Sequence, residues 1–467
     1  MGDRTMMKKM ISVDKALTMD RGEVYKLYKN HANSSLANLL SLLDMNRNYV
    51  RAQECKVWDE DGNEYLDILA GYGSLNLGHN PFEIIEALEK VKNLPNILQS
   101  TTPPMAAAAA ANLALIAPGN LSAVSFCNSG AEAVEGAIKL AKIATGKDKI
   151  AFCQHSFHGK TMGALGVMGE EKYRKPFGST MPNTYGVSFG SIEELEKVLQ
   201  FKDVAAFILE PIQGEGGIVL PPEGYLQAVR DLCNQYDCLL IFDEIQTGLG
   251  RTGKMFACEH YNVVPDIMCI AKSLSGGIMP IGAVITTENL WKKAYGGIEN
   301  CLLHTSTFGG NTWSTTAATA TIEMLLSKDI IEQVEEKGKY ILDKLSKLKE
   351  ENPIIRDVRG LGLLIGIEFE EKQKGITNKI TGGKMNQISE NYMGSMIVGE
   401  LLNKHNIISA YTLNNPNVVR FEPPLTISYE DIDYALSAIE SVCKDNGSFL
   451  KLGLSTVKTA AKSIIHR

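Results

Sequence analysis

A chain of 467 residues exceeds the length at which a single core becomes hard to build, and it leaves room for two or three domains. Hydrophobic residues at 44% and charged residues at 22% are ordinary for a globular protein, while a net charge of -7 argues against nucleic acid as the main partner. No window approaches the roughly 20 apolar residues that cross a bilayer; even the alanine run 106–111 follows Pro103-Pro104 and meets Asn112, so no membrane partner is expected.

The opening MGDRTMMKKM has basic residues but no apolar stretch of signal-peptide length, and Met6 stands where a myristoylation motif needs Ser or Thr. Secretion and lipid anchoring are therefore not expected, and the Asn33-Ser34-Ser35 sequon carries little weight. Nine cysteines, an odd number with no CxxC pair and several inside apolar runs, point to buried reduced thiols in a cytoplasmic protein. Between Val57 and Leu66 the string VWDEDGNEYL predicts a hairpin with Asp61-Gly62 as its turn. Residues 1–75 are expected to contribute that hairpin to a small domain.

From about residue 121 to 290, short apolar or β-branched runs alternate with longer amphipathic ones. VSFC, KIAFC, VAAFILE, LLIFDE, DIMCIAK and IGAVIT each read as one strand, with helices expected at 131–144 and 224–236 between them. That alternation is the signature of βαβ units in a mostly parallel sheet, where ligands gather beyond the carboxyl ends of the strands. The expected large domain covers 76–325. Long helical patterns follow at 315–326 and 330–350, then strands at Val358 and from Leu363 to Phe369, predicting a small α+β domain over 326–467. The tail 449–467 sets Leu450, Leu454, Val457 and Ala461 against Lys451, Lys458 and Lys462, the pattern of a surface helix packed on its own domain.

Three ionisable residues stand at the ends of apolar strands: Glu210 after AAFIL, Asp243 after CLLIF and Lys272 after DIMCIA. Their side chains are expected on one edge of the sheet. A lone lysine there is more often the structural partner of a carboxylate, but the grouping favours chemistry. A lysine partly desolvated beside other groups has a lowered pKa and forms a Schiff base with an aldehyde. An acidic residue opposite a pyridine nitrogen is the partner that a pyridoxal cofactor needs. A phosphate finds donors where Cys127-Asn128-Ser129-Gly130-Ala131 ends a strand with small residues and opens a helix whose free N–H groups favour an anion. Phe157-His158-Gly159 offers a ring to stack on a planar pyridine and an imidazole beside it, although a buried aromatic pair reads the same way.

Longer strings add a resemblance: EPIQGEGG from Glu210, LPPEGYL from Leu220, FDEIQTGLGRTGKMFACEH from Phe242, IMPIGA from Ile278, HTSTFGGN from His304 and TLNNPNVVRFEPPL from Thr412. With these strings the chain resembles the class III pyridoxal-phosphate-dependent aminotransferases. This fold-type I group includes ornithine, acetylornithine, 4-aminobutyrate and diamine enzymes, and the likeness is strongest to its putrescine (diamine) branch. The likeness runs from about Tyr65 to Leu425. It implies an α/β fold of fold type I, with a mostly parallel central sheet in the large domain and a smaller α+β domain built from both termini.

The resemblance further implies that Lys272 holds pyridoxal 5'-phosphate as a Schiff base and then moves a substrate proton as general base. Asp243 would keep the pyridine nitrogen protonated, Gln246 would bond the phenolic oxygen, and Phe157 would stack on the ring with His158 nearby. Ser129, Gly130 and Ala131 would cradle the phosphate, joined by Thr307 from a second subunit. A homodimer or a dimer of dimers with shared active sites is therefore expected. Arg420 matches the arginine that takes the α-carboxylate of a keto acid, and Glu215 the carboxylate that pairs with it when an amine lacking one is bound; a plain buried ion pair is the alternative. Glu210 joins these two as a substrate-binding residue. The implied activity is a ping-pong transfer from a primary amine, putrescine or cadaverine, to 2-oxoglutarate. An acetylornithine, ornithine or other omega-amino-acid transaminase is the alternative, and an aminomutase or a non-catalytic cofactor-binding protein stands further off.

Three features are set aside or marked. Gly360-Leu361-Gly362 with Gly366 has the spacing GxGxxxG and is followed by a strand pattern, so it reads as a turn and not a dinucleotide site. His155 and His158 stand three apart with no further ligand cluster, so no metal is expected. Thr312-Trp313 follows Gly310-Asn311 where many members of the resembled family have proline and a small residue, which places a bulky ring near Thr307.

Overall fold

The computed structural model describes residues 10–98, 100–370, 384–445 and Leu452. The expectation for 449–467 falls, Leu452 aside, outside them. Short helices Val13–Leu17, Arg21–His31 and Ser34–Leu42 open the chain, capped by Ser12, Asp20 and Asn33 side chains that accept from backbone N–H groups. They were not anticipated, because few of their apolar residues are buried and no strong helical stripe marks them. Three strands follow: Tyr49–Gln53 (β1), Lys56–Asp59 (β2) and Glu64–Asp67 (β3). The hairpin forms between β2 and β3 with Val57 opposite Tyr65, and its turn runs through Gly62 at φ +82.

Residues 121–287 build the main sheet: Leu121–Cys127 (β4), Lys149–Cys153 (β5), Thr184–Val187 (β6), Val204–Leu209 (β7), Leu239–Asp243 (β8), Ile267–Ile270 (β9) and Gly282–Thr287 (β10). Their order is β4-β10-β9-β8-β7-β5-β6. All neighbours are parallel except β10, which runs antiparallel to both β9 and β4. Strand alternation explains why both faces are covered. Ile150, Phe152, Ile208, Ile241 and Cys269 pack to one side with the helix Gly130–Thr145. Ala151, Cys153, Phe207, Leu209, Leu240, Phe242, Met268 and Ile270 face the other core. The sequence reading missed β6, because an edge strand reading TYGV with two exposed residues carries no apolar run.

Helices Thr312–Ser327 and Ile330–Glu351 lead to a three-stranded antiparallel sheet of Ile355–Leu361 (β11), Leu364–Phe369 (β12) and Val418–Phe421, numbered β14 because Ile407–Ile408 (β13) precedes it. Gly362, at φ +57, makes the tight reversal between β11 and β12, as its spacing suggested. β13 pairs in parallel with β3, Ile407 against Leu66, so chain from both ends shares one sheet. Eight of the nine cysteines are buried, all nine are free, and only Cys301 is exposed. Among the described residues no helix is long and apolar enough to cross a membrane.

Topology delivers the site. β4 runs in the same direction as β5, β7, β8 and β9, so their carboxyl ends open on one edge, where Ser129, Phe157, Glu210, Asp243 and Lys272 follow. The helix Ile330–Glu351 packs on the turn between β11 and β12 at Gly338, a helical glycine whose added Cβ would run into the carbonyl oxygen of Gly362. Helix propensity alone favours alanine there by about 1 kcal/mol, but an atom forced against backbone costs about 1–3 kcal/mol. Gly338→Ala is expected to lower stability, measured by chemical denaturation; a variant as stable as the parent would contradict this packing.

Candidate active site

The strand β4 ends at Cys127, and Ser129 caps the helix Gly130–Thr145 through its Oγ, which accepts from Glu132 N at 3.2 Å. A Cβ at Gly130 would stand 2.8 Å from Ile245 Cδ1, and one at Gly159 would stand 2.6 Å from Ala131 Cβ. Gly130 and Gly159 therefore pack too closely on Ile245 and Ala131 to carry a Cβ, and the first-turn N–H groups and the helix dipole lie at this end of the helix. Asn128 Nδ2 donates to Ser306 Oγ at 2.8 Å and so holds the 304–311 loop against this end of the sheet.

Glu210, just past β7, has both oxygens engaged by backbone: Phe157 N and Gly214 N each donate to it at 2.9 Å. Burial pushes its carboxyl up to about 7, against His158 and the two N–H donors, which lower it. The sequence reading places Glu210 with the substrate-binding residues; in the structure its two oxygens accept from backbone N–H groups of the loops that carry Phe157 and Glu215.

Asp243 closes β8. Its Oδ1 accepts from Ile245 N at 3.1 Å and its Oδ2 lies 2.7 Å from His158 Nδ1. His158 is only 2% exposed, and its Nε2 has no partner. The imidazole therefore sits behind the carboxylate and fixes its direction. Lys272 follows β9 in a left-handed conformation, φ +43, which is strained for a residue with a Cβ. Its ammonium makes no ion pair among the described residues. Burial holds its pKa below the usual lysine range and Arg420 acts in the same direction, while Glu422, Glu215 and Asp243 oppose.

Arg420, on β14, has no exposed surface. Glu215 Oε2 lies 2.5 Å from its Nη2, Glu422 Oε2 lies 3.2 Å from its Nη1, and the Tyr72 ring is centred 5.4 Å from its Cζ. Burial works against this charge, and the two glutamates more than offset it, so its pKa is raised. Gln246 Nε2 donates to Glu422 Oε1 at 2.9 Å and Oε2 at 3.1 Å. Glu422 and Tyr72 were missed by the sequence reading. A signal existed for the first: residues two apart at a strand share a face, so Glu422 had to accompany Arg420. Tyr72 depends on a turn, with Gly73 so close that a Cβ there would meet the Glu422 carboxylate.

Thr307 is not gathered with this group. It is exposed and lines a cavity of about 740 Å³ with Asn96, Pro103, Phe126 and Gly310, whose walls include none of Lys272, Asp243 or Gln246. Trp313 is half-buried against the main core, and its backbone N–H donates to Asn96 Oδ1 at 3.1 Å. His155 pairs with Glu170 at 2.5 Å, and among the described residues no cluster of three or more His, Cys, Asp and Glu could hold a metal ion.

This fold is that of a fold-type I pyridoxal-phosphate-dependent transferase. A family model described as aminotransferase class-III matches residues 42–443, and the chain belongs to that family. Putrescine aminotransferase of Pectobacterium atrosepticum is 44% identical over 396 residues, covering 83% of this chain and 80% of that protein. Aminotransferase PigE of a Serratia species is 37% identical over 473 residues, covering 94% of this chain, which spans only 56% of that longer protein. Among solved structures, ornithine aminotransferase from Toxoplasma gondii, crystallised with partial occupancy of PLP at its active site, superposes with a TM-score of 0.75 at 31% identity, over 85% of this chain and 90% of that one.

The raised carboxyl of Glu210 has a consequence for stability. Its folded pKa of about 7 exceeds its ordinary 4.5, so the folded protein binds this proton more tightly than the unfolded chain, and its contribution is lost as pH rises through that interval. The thermal midpoint of Glu210→Gln should fall less steeply than that of the parent between pH 4.5 and about 7. Parallel profiles for the two proteins would contradict a protonated Glu210.

Proposed function

We propose that this class-III aminotransferase carries an amino group from a primary amine, putrescine or cadaverine, to a keto acid, 2-oxoglutarate, in two half-reactions. The observation that carries this reading is the state of Arg420. Its Nε and Nη2, the two donors along one edge of the guanidinium, are buried without an aligned hydrogen bond, and Glu215 stands against that edge at 2.5 Å. An edge of this kind takes a carboxylate through two parallel bonds. With Glu215 in place the arginine is neutralised, and an amine without a carboxylate fits. With Glu215 withdrawn, the edge is free for a keto acid.

The residues present fit pyridoxal 5'-phosphate: a helix N-terminus at 129–131 with no room for a Cβ at Gly130, a carboxylate held in one direction, and a buried lysine that makes no ion pair among the described residues. When bound, the cofactor supplies an aldehyde that condenses with amines and a protonated ring that withdraws electrons from the carbon next to the nitrogen. Ser129, Gly130 and Ala131 would receive the phosphate, Asp243 the pyridine nitrogen, Gln246 the phenolic oxygen and Phe157 one ring face. His158 orients Asp243 from behind. Lys272 would hold the cofactor through its aldehyde, and its Nζ, whose pKa is lowered by burial, would serve as the base that takes a proton from the donor carbon bearing nitrogen. Glu210 positions Phe157 and the Glu215 loop. Thr307 would serve the phosphate of a neighbouring subunit in a homodimer, which its distance from this chain's own cluster supports. The 44% identity to a putrescine aminotransferase supports the donor. The likeness to ornithine aminotransferase keeps an amino-acid donor as the second reading.

Two measurements test the proposal. Purified protein loaded with cofactor is mixed, without keto acid, with putrescine, cadaverine, ornithine, acetylornithine or 4-aminobutyrate, and the cofactor absorbance is followed. Rapid conversion by the diamines is expected; conversion by an amino acid alone would overturn the donor assignment. Lys272→Ala is expected to slow either half-reaction by about 10³-fold or more. Borohydride reduction of the parent should attach the cofactor's mass to the peptide containing Lys272, and attachment elsewhere would remove this lysine from its role.

A further inference from the structure

The loop that carries Glu215 lies across the three-stranded sheet between two arginines. In the register of that sheet Arg359 on β11 stands opposite Gly366 on β12, and Gly366 stands opposite Arg420 on β14. Residues directly opposite on neighbouring strands share a face, so the two arginines rise on the same side, roughly 9–10 Å apart, with only a glycine between them. Ile218 fills that gap. A Cβ at Gly366 would stand 3.0 Å from Ile218 Cγ1, and Ile218 is buried there with Ile212, Leu364 and Val418.

Arg420 faces the Glu215 carboxylate at 2.5 Å, whereas Arg359 takes the same loop by its backbone. Arg359 Nε donates to the carbonyls of Gly217 at 2.9 Å and Ile218 at 3.1 Å, and its Nη2 donates to Gly217 at 2.5 Å. Its Nη1 is held in turn by Asp357 at 3.0 Å and Glu368 at 2.6 Å, on the same sheet. The grip falls on the returning limb of a closed turn: Gln213 and Val219 exchange backbone bonds at 3.0 and 2.9 Å, and Gly217 N and Ile218 N both donate to the Gly214 carbonyl. On the other side of the turn, Leu413 N donates to the Glu215 carboxylate at 2.8 Å and Asn414 N to the Glu215 carbonyl at 3.0 Å. A bond that holds the loop where Glu215 reaches Arg420 biases the exchange at that arginine towards Glu215 and against an incoming carboxylate. We propose that Arg359 is a positioning residue: by holding the carbonyls of Gly217 and Ile218 it keeps Glu215 against Arg420, and so favours the state of the site that accepts an amine. The inference rests on the proposed exchange of Glu215 and keto acid at Arg420 and deepens it.

The test reads the two half-reactions of the cofactor-loaded enzyme separately. In Arg359→Gln, kcat/KM for putrescine is expected to fall by about tenfold or more, while kcat/KM for 2-oxoglutarate with the aminated cofactor is unchanged or rises. The backbone amides of 213–219 should also exchange with solvent deuterium faster than in the parent, with or without cofactor. Arg356→Gln is the control, because Arg356 lies on the same strand and its ion pairs are with Glu368 and Glu370; it should change neither the ratio of the half-reactions nor the exchange of 213–219. If Arg359→Gln does not fold, Arg359→Lys, which keeps the charge and loses the fork, is read by the same criteria. Equal losses in both half-reactions, or unchanged exchange over 213–219, overturn the role of Arg359 and leave amine transfer intact. The same split in Arg356→Gln overturns it too, since loosening the sheet would then suffice. Conversion of neither putrescine nor cadaverine by the parent overturns the donor reading, and this inference with it.

Discussion

A guanidinium with no exposed surface organises this molecule's working edge. Removing Arg420 from water is tolerable only if its charge is matched where it lies, and no single element supplies the match. Glu215 comes from the loop after β7, Glu422 from the end of Arg420's own strand, and the Tyr72 ring from a turn near the N-terminal hairpin. Truncating one partner of such a pair typically costs about 3–5 kcal/mol. The requirement therefore fastens the edge of the seven-stranded sheet to the three-stranded sheet and to the N-terminal hairpin. In the proposed reaction the same residues form the wall against which the substrate lies.

Around that charge, backbone does much of the positioning. Glu210 spends both carboxylate oxygens on N–H groups of Phe157 and Gly214, which sets one end of the ring platform and one end of the loop bearing Glu215. Farther along that loop, Gly217 adopts φ +114 and its carbonyl accepts from Arg359 Nε at 2.9 Å. Glu215 is thus held on a short, tethered loop and not on a rigid strand, an arrangement compatible with the proposed release of Arg420 in one of the two half-reactions. Lys272, by contrast, is fixed in a strained left-handed conformation between β9 and a tight turn ending at Gly276. The strain is sustained by the buried strands on either side.

How much of this was legible in the residues differs by element. The apolar runs of β5, β7, β8 and β9 are buried on both faces, so their hydrophobicity is continuous and their ends are marked by the first ionisable residue. Glu210, Asp243 and Lys272 were found for that reason. β6 was not, because an edge strand needs little apolar sequence, and neither was β13, two residues long and defined only by its partner β3. The antiparallel direction of β10 left no trace in composition, since IGAVIT packs equally well either way.

Local chemistry was therefore written in the chain: which residues end strands, which glycines open a helix to an anion, and which strings belong to the class-III family, because these depend on short-range spacing. Partnership was decided by tertiary structure. That Glu210 accepts from Phe157, that His158 stands behind Asp243, that Thr307 lies apart from its own chain's lysine, and that the Tyr72 ring stands against Arg420 all follow from contacts between segments tens to hundreds of residues apart. Those contacts are set by how sheets and loops pack around a buried charge, and spacing along the chain carries no record of them.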